Sequence, residues 1–526
     1  MKRQLLPVLL SVILLSAGWL GVTGLGLLVA LVPLLYISAE AEPTRRGWWR
    51  TFGWATLTFV GWNVATVWWI WNATPVGPIA ATIVSSALNL FAFMLYHTIL
   101  KRGPKPLAYT VLVAAWVATE YWYLEGEVSW PWLLLGNGFS HDVWAVQWYE
   151  WCGVLGGSVW VLVCNLLIFE ALRSRTPIRY LKAVLGVVVP LMVSLVLYFS
   201  YDEPTERVQV SILQPNVDAY EKFDGDTDRQ IDNIFSLLNE VPAESDFVLL
   251  PETAVPGYWW EPTLAEQIEG DEAEVWSRLR DTLRHRLPNT MLVTGANTRR
   301  YYPAGAESRT ARPLWNPAFG SYYDIFNAAI GLDTTRTLIH HKGRLVIGVE
   351  KTPLWIFDVL DFLVIDLGGV VGQIGEGKHG SAFDHRGVKI GPAICYEGVY
   401  GNFYGDHVRR GASLMAILSN DGWWGDTPGY KHLFTLSRLR AIEHRRSVAR
   451  SANTGRSGFI NGRGDVSSTL GWEERGVLTE EVALNHRVTF YTRYGDYLGR
   501  IAGYLLLLCV LYFVAYRIKR RNYLVP

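Results

Sequence analysis

Cysteine is scarce in this sequence, which has four cysteines among 526 residues. Cys152, Cys164 and Cys509 lie within long apolar stretches, whereas Cys395 stands alone in a polar segment, GPAICYEGVYG. It therefore has no partner for a disulfide within its own segment. Two interpretations remain open: a small buried apolar side chain, or a thiol whose chemistry requires it to stay free.

Net charge is absent as well, because 48 lysines and arginines balance 48 aspartates and glutamates. This balance leaves no electrostatic footprint for nucleic acid, so we predict no nucleic-acid partner. The 11 histidines have no metal-ligand spacing, and the sequence has no glycine-rich phosphate-binding loop. We therefore predict neither a metal ion nor a cofactor.

Charged residues are rare in eight long apolar runs. Each run is close to the ~20 residues that a helix needs to cross a bilayer, and a soluble core rarely repeats such runs. The pattern predicts about seven membrane-spanning helices before residue 201, with an uncleaved first helix, and one more after residue 496. The runs are 4–21, 22–39, 52–71, 78–100, 107–124, 151–172, 183–200 and 497–518.

Lysine and arginine are concentrated in alternate loops between these runs. They follow the second, fourth, sixth and last runs, whereas residues 125–150 contain none. The positive-inside rule then predicts a cytoplasmic N terminus. The chain would have three parts: a membrane domain (1–200), an extracytoplasmic domain (201–496), and a last span with a short basic cytoplasmic tail (497–526).

Residues 201–496 alternate strand-like and helix-like patterns, which predicts an α/β domain with helices packed over sheets. DIFNAAIGLD (324–333) and TRTLIHHK (335–342) have the form of a hairpin, and Thr227 and Gln230 have the spacing of a helix capping box. The other strand-like segments are VQVSILQ (208–214), DFVLLPET (246–253), TMLVTGAN (290–297), GVKIGPAIC (387–395), SLMAILSND (413–421) and SVARSANTG (447–455).

Three reactive side chains lie at predicted strand ends. Cys395 ends GVKIGPAIC, and we expect it to be exposed and close to a helix N terminus, which favours the thiolate. Glu252 follows FVLLP, and Lys342 ends TRTLIHHK. Each of the latter two, taken singly, is better explained as a solvated surface residue. Together, the carboxylate can accept the thiol proton, the ammonium can stabilise an oxyanion, and the thiolate can form a thioester.

The segments that carry these residues resemble a known superfamily. LLPETAVPG, HHKGRLVIGVEKTPLW and GPAICYEGVYG occur in the order of the glutamate–lysine–cysteine triad of the nitrilase, or carbon–nitrogen hydrolase, superfamily. LQPNVDAYEKFD, SWPWLLLGNGFS and the long segment beginning LSNDGWWGDTPG resemble the apolipoprotein N-acyltransferase family within it. The resemblance covers essentially the whole chain.

This resemblance implies a fold, a reaction and its partners. The fold is a polytopic α-helical membrane bundle joined to an α/β nitrilase-like four-layer α-β-β-α sandwich. The enzyme takes an acyl chain from a phospholipid, usually phosphatidylethanolamine, and holds it as a cysteine thioester. It then transfers the chain to the α-amino group of a diacylglyceryl-modified lipoprotein. The implied location is among the lipids of the bacterial cytoplasmic (inner) membrane, with the catalytic domain on the periplasmic side.

The resemblance also assigns roles to residues by motif. It makes Cys395 the nucleophile, Glu252 the general base and Lys342 the stabiliser of the oxyanion. The supporting or substrate-binding residues that it implies are Glu350, Tyr396, Glu397, Phe223 and Asn327.

Two departures from the family pattern concern the supporting residues. LVIGVE (345–350) stands where the family usually has LVPFGE, so we expect a different conformation of the loop that carries Glu350. Phe223 stands where members often have tryptophan, which keeps the aromatic ring and loses the indole N–H.

Two other functions share some of these features. A membrane-bound amidase or nitrilase would use the same triad with water as the acceptor, although it would need no membrane bundle. A non-catalytic membrane binding protein with a degenerate nitrilase domain is the third hypothesis, and the intact triad argues against it.

Overall fold

The computed structural model describes residues 2–219, 222, 226–261, 274–314, 321–351 and 373–522. The chain forms two compact units, one built from the residues up to Tyr201 together with those from Tyr494 onward, and the other from Asp202–Arg493. The membrane sides that we assign to the three predicted parts stay a prediction.

The first unit is helical. Among the described residues, four of its helices are long and apolar enough, by length and composition, to cross a membrane: α5, α7, α8 and the last helix of the chain, Tyr497–Asn522. The helices before residue 201 are α1 (Lys2–Ser16), α2 (Leu27–Ala30), α3 (Val32–Glu40), α4 (Arg45–Val67), α5 (Val76–Arg102), α6 (Lys105–Glu125), α7 (Tyr149–Ser174) and α8 (Pro177–Phe199).

The second apolar run, 22–39, does not form the single helix that we predicted. The side chain of Asn165, on α7, occupies the break between α2 and α3. Its Oδ1 accepts a hydrogen bond from the Leu31 N–H at 2.7 Å, and its Nδ2 donates to the Leu27 carbonyl at 2.7 Å. In a continuous helix these two backbone groups would bond each other. Asn165 therefore satisfies both groups in place of that bond, which apolar surroundings require.

The described residues of the second unit form two β-sheets. The eight-stranded sheet has the order β14-β1-β2-β4-β6-β5, with β3 paired to β4 and β7 paired to β6, and the six-stranded sheet has the order β13-β12-β11-β10-β9-β8. The strands are β1 (Arg207–Gln214), β2 (Phe247–Leu249), β3 (Val255–Trp260), β4 (Met291–Tyr302), β5 (Arg312–Pro313), β6 (Tyr322–Leu332), β7 (Thr337–His341), β8 (Phe383–His385), β9 (Val388–Ile394), β10 (Leu414–Ser419), β11 (Val448–Ala452), β12 (Ser457–Ile460), β13 (Val466–Leu470) and β14 (Gly476–Ala483).

Parallel strands form the centre of each sheet. β1, β2 and β4 are parallel neighbours in the first sheet, and β9, β10 and β11 are parallel neighbours in the second. The carboxyl ends of parallel neighbours meet at one edge, which is where open α/β sheets form their sites. β6 and β7 are antiparallel, which confirms the predicted hairpin.

Helices cover the outer face of each sheet. Ile234 and Leu237 of α9 and Leu279 of α10 pack against the first sheet. Tyr404 of α11 and Phe434 of α12 pack against the second sheet. The four-layer α-β-β-α sandwich is therefore confirmed. The helices of this unit are α9 (Thr227–Glu240), α10 (Glu274–His285), α11 (Gly401–Arg409), α12 (Pro428–His444) and α13 (Phe490–Tyr494), before the last helix, α14.

The start of α9 differs from the capping box that we predicted at Thr227. The N-cap is Asp226, whose carboxylate accepts a hydrogen bond from the Arg229 N–H at 3.1 Å. An aspartate carboxylate is a charged acceptor and favours the partial positive charge at a helix N terminus. Asp226 therefore takes the cap position one residue before the threonine.

Candidate active site

Cys395 lies where β9 ends. It is the first residue of a short 3₁₀ turn, Cys395–Val399, and its φ of +47° is in the left-handed region. A non-glycine residue in that region costs of order 1–3 kcal/mol, so the surrounding structure must impose the conformation. Ile394 pairs with Leu418 in the sheet, and the Cys395 thiol is within hydrogen-bond reach of Ser419 at the end of β10.

The Cys395 thiol is buried rather than exposed, and only 8% of the residue is accessible. Burial raises the pKa of this thiol above its ordinary value, the Glu252 carboxylate adds to the rise, and the Lys342 ammonium opposes it. The prediction that the strand-end position favours the thiolate is therefore wrong for this structure. A five-residue turn has too small a dipole to offset the desolvation of a buried thiolate.

Glu252 reaches the site because its backbone passes close to β4. A Cβ atom added to Gly295 on β4 would lie 2.6 Å from the Cα of Glu252 and 2.3 Å from the amide nitrogen of Thr253. Only glycine permits that approach. Thr253 itself has a φ of +48°. Gly295 thus permits the close approach of the turn between β2 and β3 that carries Glu252.

Lys342 and Asn327 each connect two carboxylates. The Lys342 Nζ donates to the Oε1 of Glu252 at 2.8 Å and to the Oε1 of Glu350 at 2.9 Å. The Asn327 Nδ2 donates to the same two oxygens at 2.7 and 2.9 Å. The backbone N–H of Lys342 also donates to the Asn327 carbonyl at 2.8 Å. The β6–β7 hairpin therefore places both donors at the carboxylates.

Electrostatics keep this cluster ionised. Burial by itself raises the pKa of the Glu252 carboxyl, but Lys342, the Asn327 hydrogen bond and the Lys222 charge together outweigh burial, and the net pKa lies below its ordinary value. Burial lowers the pKa of Lys342, but the Glu252 and Glu350 carboxylates outweigh burial and raise it above its ordinary value. The site thus combines an ionised carboxylate, a charged ammonium and a neutral thiol. These are the parts needed for acyl transfer through a thioester.

Lys222 is a buried neighbour of this cluster that the sequence analysis missed. Its Nζ donates to the backbone carbonyl of Glu252 at 2.8 Å. Burial lowers the pKa of Lys222 to about 7, against the opposing effect of the Glu252 carboxylate. The sequence signal for Lys222 was its position in YEKFD, next to the predicted supporting residue Phe223. Phe223 itself lies outside the described residues.

The end of β10 also contributes groups that we did not predict. The Asn420 N–H donates to the Oε2 of Glu252 at 3.1 Å, which fixes the second oxygen of that carboxylate. Asp421 accepts two hydrogen bonds of 2.9 Å from the buried guanidinium of Arg450. The sequence signal for these groups was the polar triplet Ser-Asn-Asp that follows the apolar residues of AILSND.

The predicted supporting residues have different positions. Glu350 reaches Lys342 from the unusual LVIGVE loop, where the Val346 N–H donates to its Oε2 at 2.8 Å and Gly348 has a φ of +85°. Glu397 is fully buried and accepts hydrogen bonds of 2.6 Å from the backbone N–H groups of Gly343 and Ile394. It therefore joins the loop after Lys342 to the residue before Cys395. Tyr396 is buried and packs against Tyr400.

Comparisons with known proteins give a consistent result for both units. Residues 209–489 match the model of the carbon–nitrogen hydrolase family, and residues 9–167 match that of the apolipoprotein N-acyltransferase N-terminal domain. An apolipoprotein N-acyltransferase of Chlorobaculum tepidum is 29% identical over 503 residues, which are 91% of this chain and 90% of the relative. One of Gloeobacter violaceus is 26% identical over 516 residues, 92% of this chain and 89% of the relative.

Solved structures are similar to part of this chain. A crystal structure of an amidase from Nesterenkonia sp. has 18% sequence identity and a TM-score of 0.37, and covers 57% of this chain and 97% of the amidase. A carbon–nitrogen hydrolase superfamily protein from Xanthomonas campestris has 19% identity and a TM-score of 0.35, with 53% and 91% covered.

Proposed function

We propose that this chain, which belongs to the carbon–nitrogen hydrolase family, is an apolipoprotein N-acyltransferase. One observation carries the proposal: the same chain matches the carbon–nitrogen hydrolase model and the N-terminal model of apolipoprotein N-acyltransferases. Relatives that bear this name also align with about nine-tenths of the chain. An amidase that releases a small product needs no such N-terminal unit.

The chain is a membrane protein, and its substrates are a lipid and a lipoprotein. Both substrates carry acyl chains that stay in the bilayer. Moving such a chain into water costs about 0.8 kcal/mol per methylene group, so a phospholipid is best used without leaving the membrane. We assign phosphatidylethanolamine as the donor and the diacylglyceryl-modified N terminus of a lipoprotein as the acceptor.

The first half-reaction loads the acyl chain on Cys395. Its thiol has a raised pKa and Glu252 is ionised, so the proton moves to Glu252 as the sulfur attacks the ester carbonyl, not before. The Sγ–carbonyl bond forms, and the ammonium of Lys342 stabilises the oxyanion. The carbonyl–oxygen bond of the ester then breaks, Glu252 returns the proton to the leaving oxygen, and lysophospholipid departs from the thioester.

The second half-reaction transfers the chain to nitrogen. The uncharged α-amine of the lipoprotein attacks the thioester carbonyl, and Glu252 accepts one of its protons. Lys342 again stabilises the oxyanion. The carbon–sulfur bond breaks, and the departing thiolate regains its proton, which leaves an amide on the lipoprotein and the free thiol on the enzyme. Because one thiol carries the acyl group between substrates, the kinetics are ping-pong.

The test is an incubation with acyl-labelled phosphatidylethanolamine in the absence of acceptor. We expect the wild type to accumulate a hydroxylamine-sensitive labelled adduct, and Cys395→Ala to accumulate none while staying folded in the membrane. Cys152→Ala, which removes a half-buried thiol of α7, is the matched control and keeps full loading. Addition of a diacylglyceryl lipopeptide then moves the label to its N terminus.

Other outcomes would overturn the proposal. Release of labelled fatty acid with no transfer to the lipopeptide would indicate a hydrolase. If the wild type transfers the acyl chain normally but accumulates no adduct, the reaction has no thioester intermediate. The proposed inner-membrane topology has its own test: reporter fusions at about residue 240 and about residue 520 should report the periplasm and the cytoplasm respectively.

A further inference from the structure

Three buried side chains that take no part in the proposed acyl transfer lie together behind the nucleophile turn. They are His340 on β7, Glu397 in the turn that begins at Cys395, and His407 on α11. One ligand atom from each lies within 4.8 Å of the other two. All three side chains are at most 1% accessible. Two imidazoles and a carboxylate form a donor set that binds divalent transition metals.

Ser381 holds both imidazoles in the same orientation. The Nδ1 of His407 lies 2.7 Å from the Ser381 carbonyl oxygen, which can only accept, and 3.0 Å from the Ser381 backbone N–H, which can only donate. The Nδ1 of His340 is 3.1 Å from the hydroxyl of the same serine. The Nε2 of His340 faces the Glu397 carboxylate, and the Nε2 is the nitrogen of His407 that Ser381 leaves unused. Metal-binding histidines have this arrangement, with the nitrogen remote from the ion bonded to a backbone carbonyl or similar group.

The hydrogen-bond partners within the described part of the chain leave this cluster incomplete. The Nε2 of His407 is buried and has no hydrogen-bond partner there. In the tautomer that donates from Nδ1 to the Ser381 carbonyl, the shorter of the two Ser381 contacts, this Nε2 presents a lone pair. The Glu397 carboxylate is bonded to two backbone N–H groups and to His340, and no described lysine or arginine forms an ion pair with it. A lone pair and a carboxylate without a permanent cation both call for a positive charge at this place.

We propose that the Nε2 atoms of His340 and His407 and the carboxylate of Glu397 bind a divalent metal ion, with zinc as the expected occupant. The His340 Nε2 lies 3.2 and 3.3 Å from the two Glu397 oxygens. Ligand atoms bonded to a tetrahedral zinc ion at ~2.0–2.1 Å are about 3.3 Å apart, so this pair already has the required spacing. Zinc accepts three such protein ligands and a fourth from water.

The ion would have a positioning role. Glu397 also accepts the N–H groups of Gly343 and Ile394, which adjoin Lys342 and Cys395 in sequence. An ion on this carboxylate would therefore hold both reactive residues in place without touching the substrate. The sequence analysis predicted no metal because positions 340, 397 and 407 lie in three separate elements and have no short spacing. The inference does not depend on the proposed function.

The test measures metal directly. We expect full-length protein, purified in detergent without chelator or a histidine tag, to contain about one zinc per chain by mass spectrometry. Protein treated with chelator and titrated with Co²⁺ should develop the visible absorption of a tetrahedral site at one equivalent. His340→Gln and His407→Gln should each lose the zinc and the absorption. His486→Gln, which changes an exposed histidine paired with Glu206, should keep both.

The wild-type Co²⁺ titration keeps the test decisive even where a variant fails to fold. Wild-type protein that contains no zinc and develops no visible absorption with Co²⁺ would overturn the proposal. So would metal that is retained in folded His407→Gln and lost in His486→Gln, because the ion would then be adventitious and bound at the surface. Thermal unfolding at a lower temperature after chelation, restored by zinc, is the expected structural consequence.

Discussion

Two buried glutamates near the end of β7 have their negative charges stabilised in different ways. Glu252 accepts hydrogen bonds on one oxygen from the side chains of Lys342 and Asn327 at 2.8 and 2.7 Å, and on the other from the backbone N–H of Asn420 at 3.1 Å. Glu397 accepts from the backbone N–H groups of Gly343 and Ile394, both at 2.6 Å. A permanent cation therefore compensates Glu252, whereas Glu397 depends on the peptide backbone and on an imidazole.

The difference indicates two roles, proton transfer for Glu252 and positioning of neighbouring residues for Glu397. Side-chain donors can adjust their positions as a carboxylate takes up and returns a proton, so Glu252 is suited to proton transfer. Backbone N–H groups cannot move without moving the chain, so Glu397 is suited to holding the residues that flank it. Two residues at one hairpin end, two positions apart, bond to the two glutamates: Lys342 bonds to Glu252, and His340 bonds to Glu397.

Removing the cation should have the largest effect. In Lys342→Met, the buried carboxylates of Glu252 and Glu350 lose their shared ammonium. Breaking a buried ion pair from one side costs about 3–5 kcal/mol of unfolding free energy, and loss of an oxyanion stabiliser lowers the rate of acyl loading about 10²–10³-fold. Loading kinetics and thermal unfolding measure the two effects.

Lys351→Met is the control for that substitution. Lys351 forms a half-exposed ion pair with Glu376, for which about 0–1 kcal/mol and unchanged loading are expected. Equal losses of stability and loading rate in Lys342→Met and Lys351→Met would contradict the proposed role of Lys342.

Removing the base should affect the rate more than the stability. In Glu252→Gln, the side-chain oxygen still accepts a hydrogen bond, but the group no longer takes the Cys395 proton. Loading should fall about 10²–10⁴-fold. Glu350→Gln, on the same ammonium, should load slowly yet still accumulate adduct. Single-turnover labelling separates the two variants, and an equal defect in both would mean that Glu252 is not the only proton acceptor.

Glu397→Gln should have a smaller effect on the rate. The amide nitrogen cannot accept, so one of the two backbone N–H groups loses its partner at a cost of about 1–3 kcal/mol of unfolding free energy. Loading should fall about tenfold through misplacement of Cys395 and Lys342. The pH profile of loading should keep its wild-type shape, because Glu397 exchanges no proton with the substrate. A shifted profile would make Glu397 part of the proton transfer and remove the contrast with Glu252.

Lys222 should produce a dependence of stability on pH. Its pKa is about 7 in the folded protein and about 10.4 when unfolded, so the unfolded chain binds more protons between these values. The free energy of unfolding therefore rises with pH from about 7 to about 10.4. Below about pH 7 the contribution of Lys222 to this free energy does not depend on pH. In Lys222→Met this rise should be absent.

Thermal unfolding of wild type and Lys222→Met, measured between about pH 6 and pH 10, checks this expectation. The unfolding free energy of Lys222→Met relative to wild type should be highest near pH 6 and should decrease with increasing pH. A constant difference would show that Lys222 keeps its charge in the folded protein.

Several features could be predicted because they depend on local patterns. The β6–β7 hairpin, the strand before Cys395 and the α/β alternation follow from the period of apolar residues. Glu252, Lys342 and Cys395 were identified because strand ends of parallel sheets meet at one edge and because their motifs resemble a family. The break at Asn165, by contrast, depends on a side chain 134 positions from Leu31, which no local pattern contains.

The sequence by itself determined the two kinds of unit, the strand-end positions of the reactive residues and the family to which the chain belongs, because periodicity, length and motif order are all local or linear properties. The tertiary structure alone decided the protonation of the site. Burial keeps the Cys395 thiol neutral where a strand-end position had favoured the thiolate, and Lys342 keeps Glu252 ionised. It also brought Lys222 to Glu252 and placed His340, Glu397 and His407 together. These outcomes depend on desolvation and on distances between residues far apart in the chain, which only folding establishes.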